Sequence, residues 1–163
     1  MIDFKSDKTE SIPDLVRRKA GEYGVDPNIA LGVAEQESNF DPRAVNKKSG
    51  ATGVMQLMPG TSKGLGVKDP KNPEQNVDAG VRYLSTLHEK HGGDTDKALA
   101  EYGGFKKADP TSYIEGVKEK AQKYVAPKVD FKPDKPTGPL SKAAESIVRR
   151  SREIAPQVVG DYV

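Results

Sequence analysis

The sequence predicts an all-α fold, or at most an α-rich α+β fold, for residues 11–125, and three observations carry that expectation. First, a capping residue with a proline just inside the helix recurs at Ser11-Ile12-Pro13, Asp26-Pro27, Asn72-Pro73 and Asp109-Pro110. Second, the apolar residues after each start recur at helical spacing. Third, aromatic residues make up only 6% of the chain and Trp is absent, which argues against a large β core. With 163 residues, 34% of them apolar and 31% charged, the chain can build one compact helical domain of about 110–130 residues plus tails.

Residues 1–10 are polar and read as a flexible tail. Ser11 caps the first helix, Leu15, Val16, Ala20 and Tyr23 form its inner face, and Gly24 stops it. The second helix runs from Asp26-Pro27 to about Phe40, where Asp41-Pro42 ends it, because the residue before a proline is driven out of the α region. Across residues 43–72 the glycines 50, 53, 60, 64 and 66, with Pro59 and Pro70, leave room only for a short helix near Thr61–Leu65. A long helix follows Asn72-Pro73, with Val77, Val81, Leu84, Leu87 and His88 on one face. A short one spans Thr95 to Tyr102, and the last carries the stripe Tyr113, Ile114, Val117, Ala121 and Tyr124. Residues 126–139 are rich in proline and lysine and read as a linker. Residues 140–163 read as an appended helix, with Leu140, Ala143, Ala144, Ile147, Val148 and Ile154 on one face for docking.

Several function classes are excluded on composition. The net charge of +2, with both signs interspersed, does not predict nucleic-acid binding. Without cysteine there is no disulfide or thiolate-metal chemistry, and His88 with His91 makes no metal-ligand set, so no metal or cofactor is expected. The N-terminal Met1-Ile2-Asp3-Phe4-Lys5 lacks a signal-peptide core, and no stretch reaches membrane-spanning length. A substrate outside the cytoplasm would then require some other route of delivery.

Glu37 breaks the pattern of its helix. At 100° per residue, Ala30, Val33 and Ala34 fall within about 60° of it, whereas Glu35 falls on the far side and reads as solvent-facing. A carboxyl on an apolar stripe is costly when ionised, so its pKa rises and it can serve as a general acid. The same spacing also suits a partly wet residue at a helix end, and periodicity leaves both readings open.

The run Glu37-Ser38-Asn39-Phe40-Asp41-Pro42 is followed by Ala44-Val45, then by Gly53-Val54-Met55-Gln56-Leu57-Met58-Pro59 and Gly60-Thr61. Further on come Leu65-Gly66-Val67, Pro73-Glu74-Gln75-Asn76-Val77, Ala79-Gly80, Tyr83-Leu84 and Ala100-Glu101-Tyr102. In order and spacing over about residues 12–125, this resembles the soluble lytic transglycosylase family, whose fold is that of goose-type lysozyme. The resemblance implies a lysozyme-like helical domain in which the glycine-rich segment borders a glycan groove. It implies that Glu37 is the general acid and then the base, that Ser38 binds sugar, that Met55 and Gln56 line the groove, and that Tyr102 hydrogen-bonds or orients Glu37. Gly53 is either a point of close backbone approach to the groove or an ordinary turn glycine. Leu57 and Met58 are expected in the core. Asp41 is explained by helix termination, and Glu101 is not assigned a direct role.

One position departs from the family pattern Ala-X-Tyr-Asn-Ala-Gly: Gly103 stands where the Asn is expected, and it reads as a helix stop. The implied reaction is cleavage of the β-1,4 bond between N-acetylmuramic acid and N-acetylglucosamine in peptidoglycan, leaving a 1,6-anhydro end and needing no cofactor. Two alternatives stand beside it: a hydrolytic muramidase on the same fold, and a non-catalytic peptidoglycan-binding or structural virion protein. The expected setting is a bacteriophage particle, or else a secretion assembly, with residues 126–163 as the tether or as a self-association segment.

Overall fold

The computed structural model describes residues 10–105 and 108–126, and the helical expectation holds across them. Six helices follow one another among these residues: α1 (Ile12–Tyr23), α2 (Pro27–Ser38), α3 (Pro59–Gly64), α4 (Pro73–Lys90), α5 (Thr95–Tyr102) and α6 (Thr111–Gln122). The only β pairing among them is the pair of isolated bridges Val45–Thr52 and Thr52–Leu57. The expected tail before Glu10, and the expected linker and appended helix beyond Ala126, lie outside the described residues.

Capping chemistry explains most of the boundaries. The hydroxyl of Ser11 accepts from the Asp14 N–H, and Gly24 leaves α1 in the left-handed region while its N–H donates to the Ala20 carbonyl. Asn72 Oδ1 accepts from the Gln75 N–H at 3.0 Å, and Asp94 Oδ1 from the Lys97 N–H at 3.1 Å. Asp109 does the same just before α6, accepting from the Thr111 N–H at 3.0 Å. Pro59 opens α3 in its first turn, so that helix starts ahead of the expected Thr61.

Helix α2 ends differently from the expectation. It stops at Ser38, because Asn39 and Phe40 both take positive φ angles of 52° and 63°. Asn tolerates that conformation and terminates the helix before Pro42 can act. Asp41 then accepts from the Arg43 N–H at 2.8 Å and starts the following turn.

Packing centres on α2, which lies against α1 and α6, while α1 also packs on α4 and α4 on α5. Ala30, Leu31, Gly32, Val33 and Ala34 are all buried, so this stretch of α2 has no wet face. A Cβ at Gly32 would lie 2.5 Å from the Val117 carbonyl oxygen, so α6 approaches α2 backbone to backbone. The α1–α4 seam is charged at its rim: Lys19 meets Glu22, Glu74 and Asp78, and Arg18 meets Glu10, Glu22 and Glu74.

Gly32→Ala is expected to destabilise the domain by about 1–3 kcal/mol, the usual cost of forcing a methyl into a filled interface. Urea denaturation of the purified chain measures this, and an unchanged midpoint would contradict the tight α2–α6 contact.

Candidate active site

The last turn of α2 carries Glu37 to the edge of the core, where it is half-buried. Its Oε1 accepts a hydrogen bond from the Tyr113 hydroxyl at 2.5 Å, an approach made possible by the closeness of α6. Burial pushes the Glu37 carboxyl above the usual glutamate range, and the Tyr113 hydrogen bond opposes that shift without cancelling it. Burial and the Glu37 charge together push the Tyr113 phenol far up, so it stays a neutral donor.

Tyr102 also faces Glu37, whose charge adds to burial in holding the Tyr102 phenol well above its ordinary value. Its hydroxyl, however, donates to the Met55 carbonyl at 2.9 Å. The hydrogen bond to Glu37 expected of Tyr102 therefore comes from Tyr113. In the sequence Tyr113 is legible only as a member of the α6 stripe, yet a tyrosine on such a stripe needs a partner for its hydroxyl, and that is the available signal.

The segment between α2 and α3 is shaped by side chains bonding to its backbone. Ser38 Oγ donates to the Val54 carbonyl at 2.8 Å and fastens the segment to the end of α2. Gln56, at φ 44°, donates through Nε2 to the carbonyls of Ala44 at 3.1 Å and Gly53 at 2.9 Å. Both amide protons are thus committed, and a contact with a sugar would fall to Oε1. Asn76 of α4 is fully buried. Its Oδ1 accepts from the Met55 N–H at 2.8 Å, and its Nδ2 donates to the carbonyls of Thr52 and Pro70, each at 3.0 Å. Asn76 lies within about 20° of Leu87 around the helix, so a polar residue on an apolar stripe is the sequence signal for it too.

Two expectations about this segment are corrected. Met55 does not line a groove: it is fully buried and packs on Gly80, because Asn76 holds its backbone inward. Met58, expected in the core with Leu57, is 47% exposed, while Leu57 is buried at 3%. The left-handed turn at Gln56 breaks any regular alternation, so neither helical nor strand spacing sorts the two methionines. Gly53, at φ 85°, does sit in a turn, but its close approach is to the protein's own chain and not to a groove. A Cβ there would overlap the Asn76 amide and the Pro70 carbonyl.

A cleft of about 340 Å³ is lined by Gln56, Leu57, Met58, Thr61, Tyr83, Glu101, Tyr102 and Gly104. Glu101 is engaged by Lys90 at 2.7 Å and His91 at 2.8 Å, and these bonds hold its carboxyl low. Glu35 is not solvent-facing: its side chain is 13% exposed and accepts from Lys123 and Tyr124, each at 2.6 Å. Gly103 stands at the C-terminal cap of α5, as expected of a helix stop, but its backbone is right-handed at φ −70°, and the left-handed residue is Gly104 at φ 78°. Among the described residues, no group of three or more His, Asp or Glu is arranged to hold a metal ion.

Two outcomes follow from this geometry. Tyr113→Phe removes the hydrogen bond that favours the carboxylate and keeps the burial, so the Glu37 pKa rises further; ¹³C NMR titration of the carboxyl reads this, and a fall would refute it. Asn76→Leu orphans the buried Met55 N–H at a cost of about 1–3 kcal/mol. That loss is measurable by thermal unfolding, and faster amide exchange in residues 52–57 should accompany it.

Comparison with known proteins agrees with this architecture. The family described as "Transglycosylase SLT domain" matches residues 14–123. The membrane-bound lytic murein transglycosylase C of Histophilus somni (strain 2336) is 39% identical over 88 residues, covering 47% of this chain and 24% of that protein. The transglycosylase of Enterobacteria phage PRD1 is 34% identical over 96 residues, covering 59% of this chain and 36% of the phage protein. The matched region thus spans about a quarter to a third of these relatives. Among solved structures, the 70 kDa soluble lytic transglycosylase of Escherichia coli superposes with a TM-score of 0.51 at 24% identity, over 67% of this chain and 18% of that one. An inactive mutant of the lytic transglycosylase Slt from Pseudomonas aeruginosa gives 0.50 at 28% identity, over 66% and 21%. On the match over residues 14–123, the chain belongs to the transglycosylase SLT domain family.

Proposed function

We propose that this chain is a peptidoglycan lytic transglycosylase that cleaves the β-1,4 bond between N-acetylmuramic acid and N-acetylglucosamine and leaves a 1,6-anhydro-N-acetylmuramic end. The observation that carries the reading is the Glu37–Tyr113 pair: a carboxyl raised by burial, held by a neutral phenol, at the end of the central helix. A glutamic acid that keeps its proton to higher pH is suited to general acid catalysis. Family membership and relatives named lytic murein transglycosylase and transglycosylase support the substrate class.

In this reading, Glu37 protonates the glycosidic oxygen as the C1–O bond breaks, and the acetamido group of the muramic sugar stabilises the electron-poor C1. The Glu37 carboxylate then takes the proton from the sugar's own C6 hydroxyl, whose oxygen closes onto C1. Glu37 is thereby reprotonated, and no water is consumed. A second protein carboxylate is dispensable because the substrate supplies that group. The neighbouring carboxylates have other work: Glu35 holds Lys123 and Tyr124, Glu101 holds Lys90 and His91, and Asp41 caps the turn at Arg43. Ser38 and Gln56 are the proposed sugar contacts, each beside its backbone bonds, and Tyr102 shapes the wall next to Glu37.

Hydrolysis by water on the same site is the competing reaction. A non-catalytic wall-binding or virion protein is the competing function. The proposed setting is a bacteriophage particle opening the wall locally, in line with the phage relative, or else a secretion assembly. Residues 126–163 would be the tether to that assembly or a self-association segment.

Glu37→Gln should abolish release of soluble muropeptides from purified peptidoglycan, by at least about 10²-fold, the scale of a lost general acid. Mass spectrometry of the wild-type products should show fragments one water lighter than hydrolysis gives. Retained turnover by the variant would sink the assignment of the acid, and hydrated products would select the muramidase. Stability provides an independent reading. The folded-state pKa of Glu37 is raised, so its contribution is intact below the ordinary glutamate value and is lost as pH rises through the raised one. The Gln variant should therefore match wild type in acid and exceed it near neutral pH.

A further inference from the structure

Gly103 has an ordinary right-handed backbone, at φ −70° and ψ −2°, so nothing in its conformation calls for glycine. What calls for it is a ring. A Cβ at position 103 would lie 2.6 Å from Cε2 and 2.9 Å from Cδ2 of Phe105, and 3.1 Å from Cε1 of Tyr113. Phe105 is half-buried, with its backbone N–H bonded to the Ala100 carbonyl at 3.0 Å. Its ring centroid lies 5.4 Å from that of Tyr113 at an interplanar angle of 43°, within the range of favourable aromatic pairs. Phe105 and Gly103 thus close on the tyrosine that holds Glu37, and the Phe105 ring has no part in the site described above.

We propose that Phe105 is a positioning residue: its ring buttresses Tyr113 and keeps the phenol against the Glu37 carboxyl, and Gly103 is the vacated side-chain volume that admits the ring. The family pattern places an Asn at position 103, and its side chain could not coexist with the Phe105 ring as it stands. In this chain, an aromatic contact made two residues later stands in the space a polar side chain would take. The proposal rests on reading Glu37 as the acid, but the buttress itself can be measured without any turnover.

The groups facing Glu37 are Tyr113 from α6 and Tyr102 from α5, with Tyr83 of α4 packed on Tyr102 at 5.6 Å between ring centroids. Among the described residues, no Lys, Arg or His forms an ion pair or hydrogen bond with Glu37. Two effects act when the buttress is removed. Water reaches the carboxyl, which relieves the burial that raises its pKa, and the Tyr113 bond loosens, which by itself would raise the pKa further. Burial is the larger influence on the carboxyl as it stands, and its relief, with water replacing the lost hydrogen bond, is expected to set the direction of the shift, downward.

The test is a ¹³C NMR titration of Glu37 in the full chain, paired with the pH profile of muropeptide release. Phe105→Ala and Gly103→Asn should each move the Glu37 titration down towards the ordinary glutamate range. Each should move the alkaline limb of the activity profile the same way and lower the maximal rate by about tenfold to a hundredfold, the scale for a misplaced catalytic group. Phe105→Tyr keeps the ring and should restore the wild-type titration and profile. A merely structural role would lower amplitude without moving either curve. If Phe105→Ala fails to fold, Phe105→Leu gives the same reading with less lost volume. A Glu37 titration unmoved in a folded Phe105 variant overturns the proposal. A titration that moves while the wild-type protein releases nothing from peptidoglycan upholds the buttress and overturns the functional reading instead.

Discussion

The approach of α6 to α2 at Gly32 is the constraint on which the rest depends. With no side chain between them, the Val117 carbonyl and the Ala121 backbone sit directly on α2. That distance decides what can reach across. Tyr113, in the first turn of α6, meets Glu37 in the last turn of α2. At the opposite end of α6, Lys123 and Tyr124 meet Glu35. The two carboxylates lie on opposite sides of α2, and α6 with the residues that follow it engages both. Yet it gives Glu37 a neutral donor and Glu35 a cation besides a phenol. One carboxyl is therefore pushed up and the other held down by the same helix pair, which is how groups of one chemical type come to differ in acidity.

The wall beside the site has no sheet or long helix to satisfy its backbone, so side chains do that work. Ser38 donates to the carbonyl of Val54, Gln56 to those of Ala44 and Gly53, and Asn76 to those of Thr52 and Pro70 while accepting from the Met55 N–H. Each of these three residues lies in a stretch that resembles the family's motifs. The resemblance implies that Ser38 and Gln56 touch sugar, and their first visible occupation is to hold the wall in shape. The two roles are compatible, because a donor spent on the backbone still leaves oxygen lone pairs.

How much is legible in the sequence follows from which physical rule is local. The helix starts at Ser11, Asp26 and Asn72 depend on a side chain and an N–H two or three residues away, so they can be read directly. Glu37 and Asn76 are open to one argument, a polar group on an apolar stripe, although of the two the resemblance assigns a role only to Glu37. The end of α2 departs from expectation because Asn39 and Phe40 take a left-handed path that outranks the more familiar signal of Pro42. Met55 and Met58 exchange places because their segment follows no period. Choosing Tyr113 over Tyr102 as the partner of Glu37 needs the α2–α6 distance, which no local rule contains.

The charged seam between α1 and α4 has a consequence for the conditions the domain can tolerate. Asp78 is partly buried, which alone would raise its carboxyl, yet the bonds from Lys19 and Tyr23 hold it below the usual aspartate value. Stability from such a group is present above the unfolded value and drains away as pH falls through the folded one. Glu37 runs the other way, keeping its proton best in acid. The domain is thus pulled from two sides by acidity: the protons that settle on Glu37 loosen the joint at the other end. With Glu37 as the proposed acid, its working range is the overlap between a seam that must stay ionised and a carboxyl that must not.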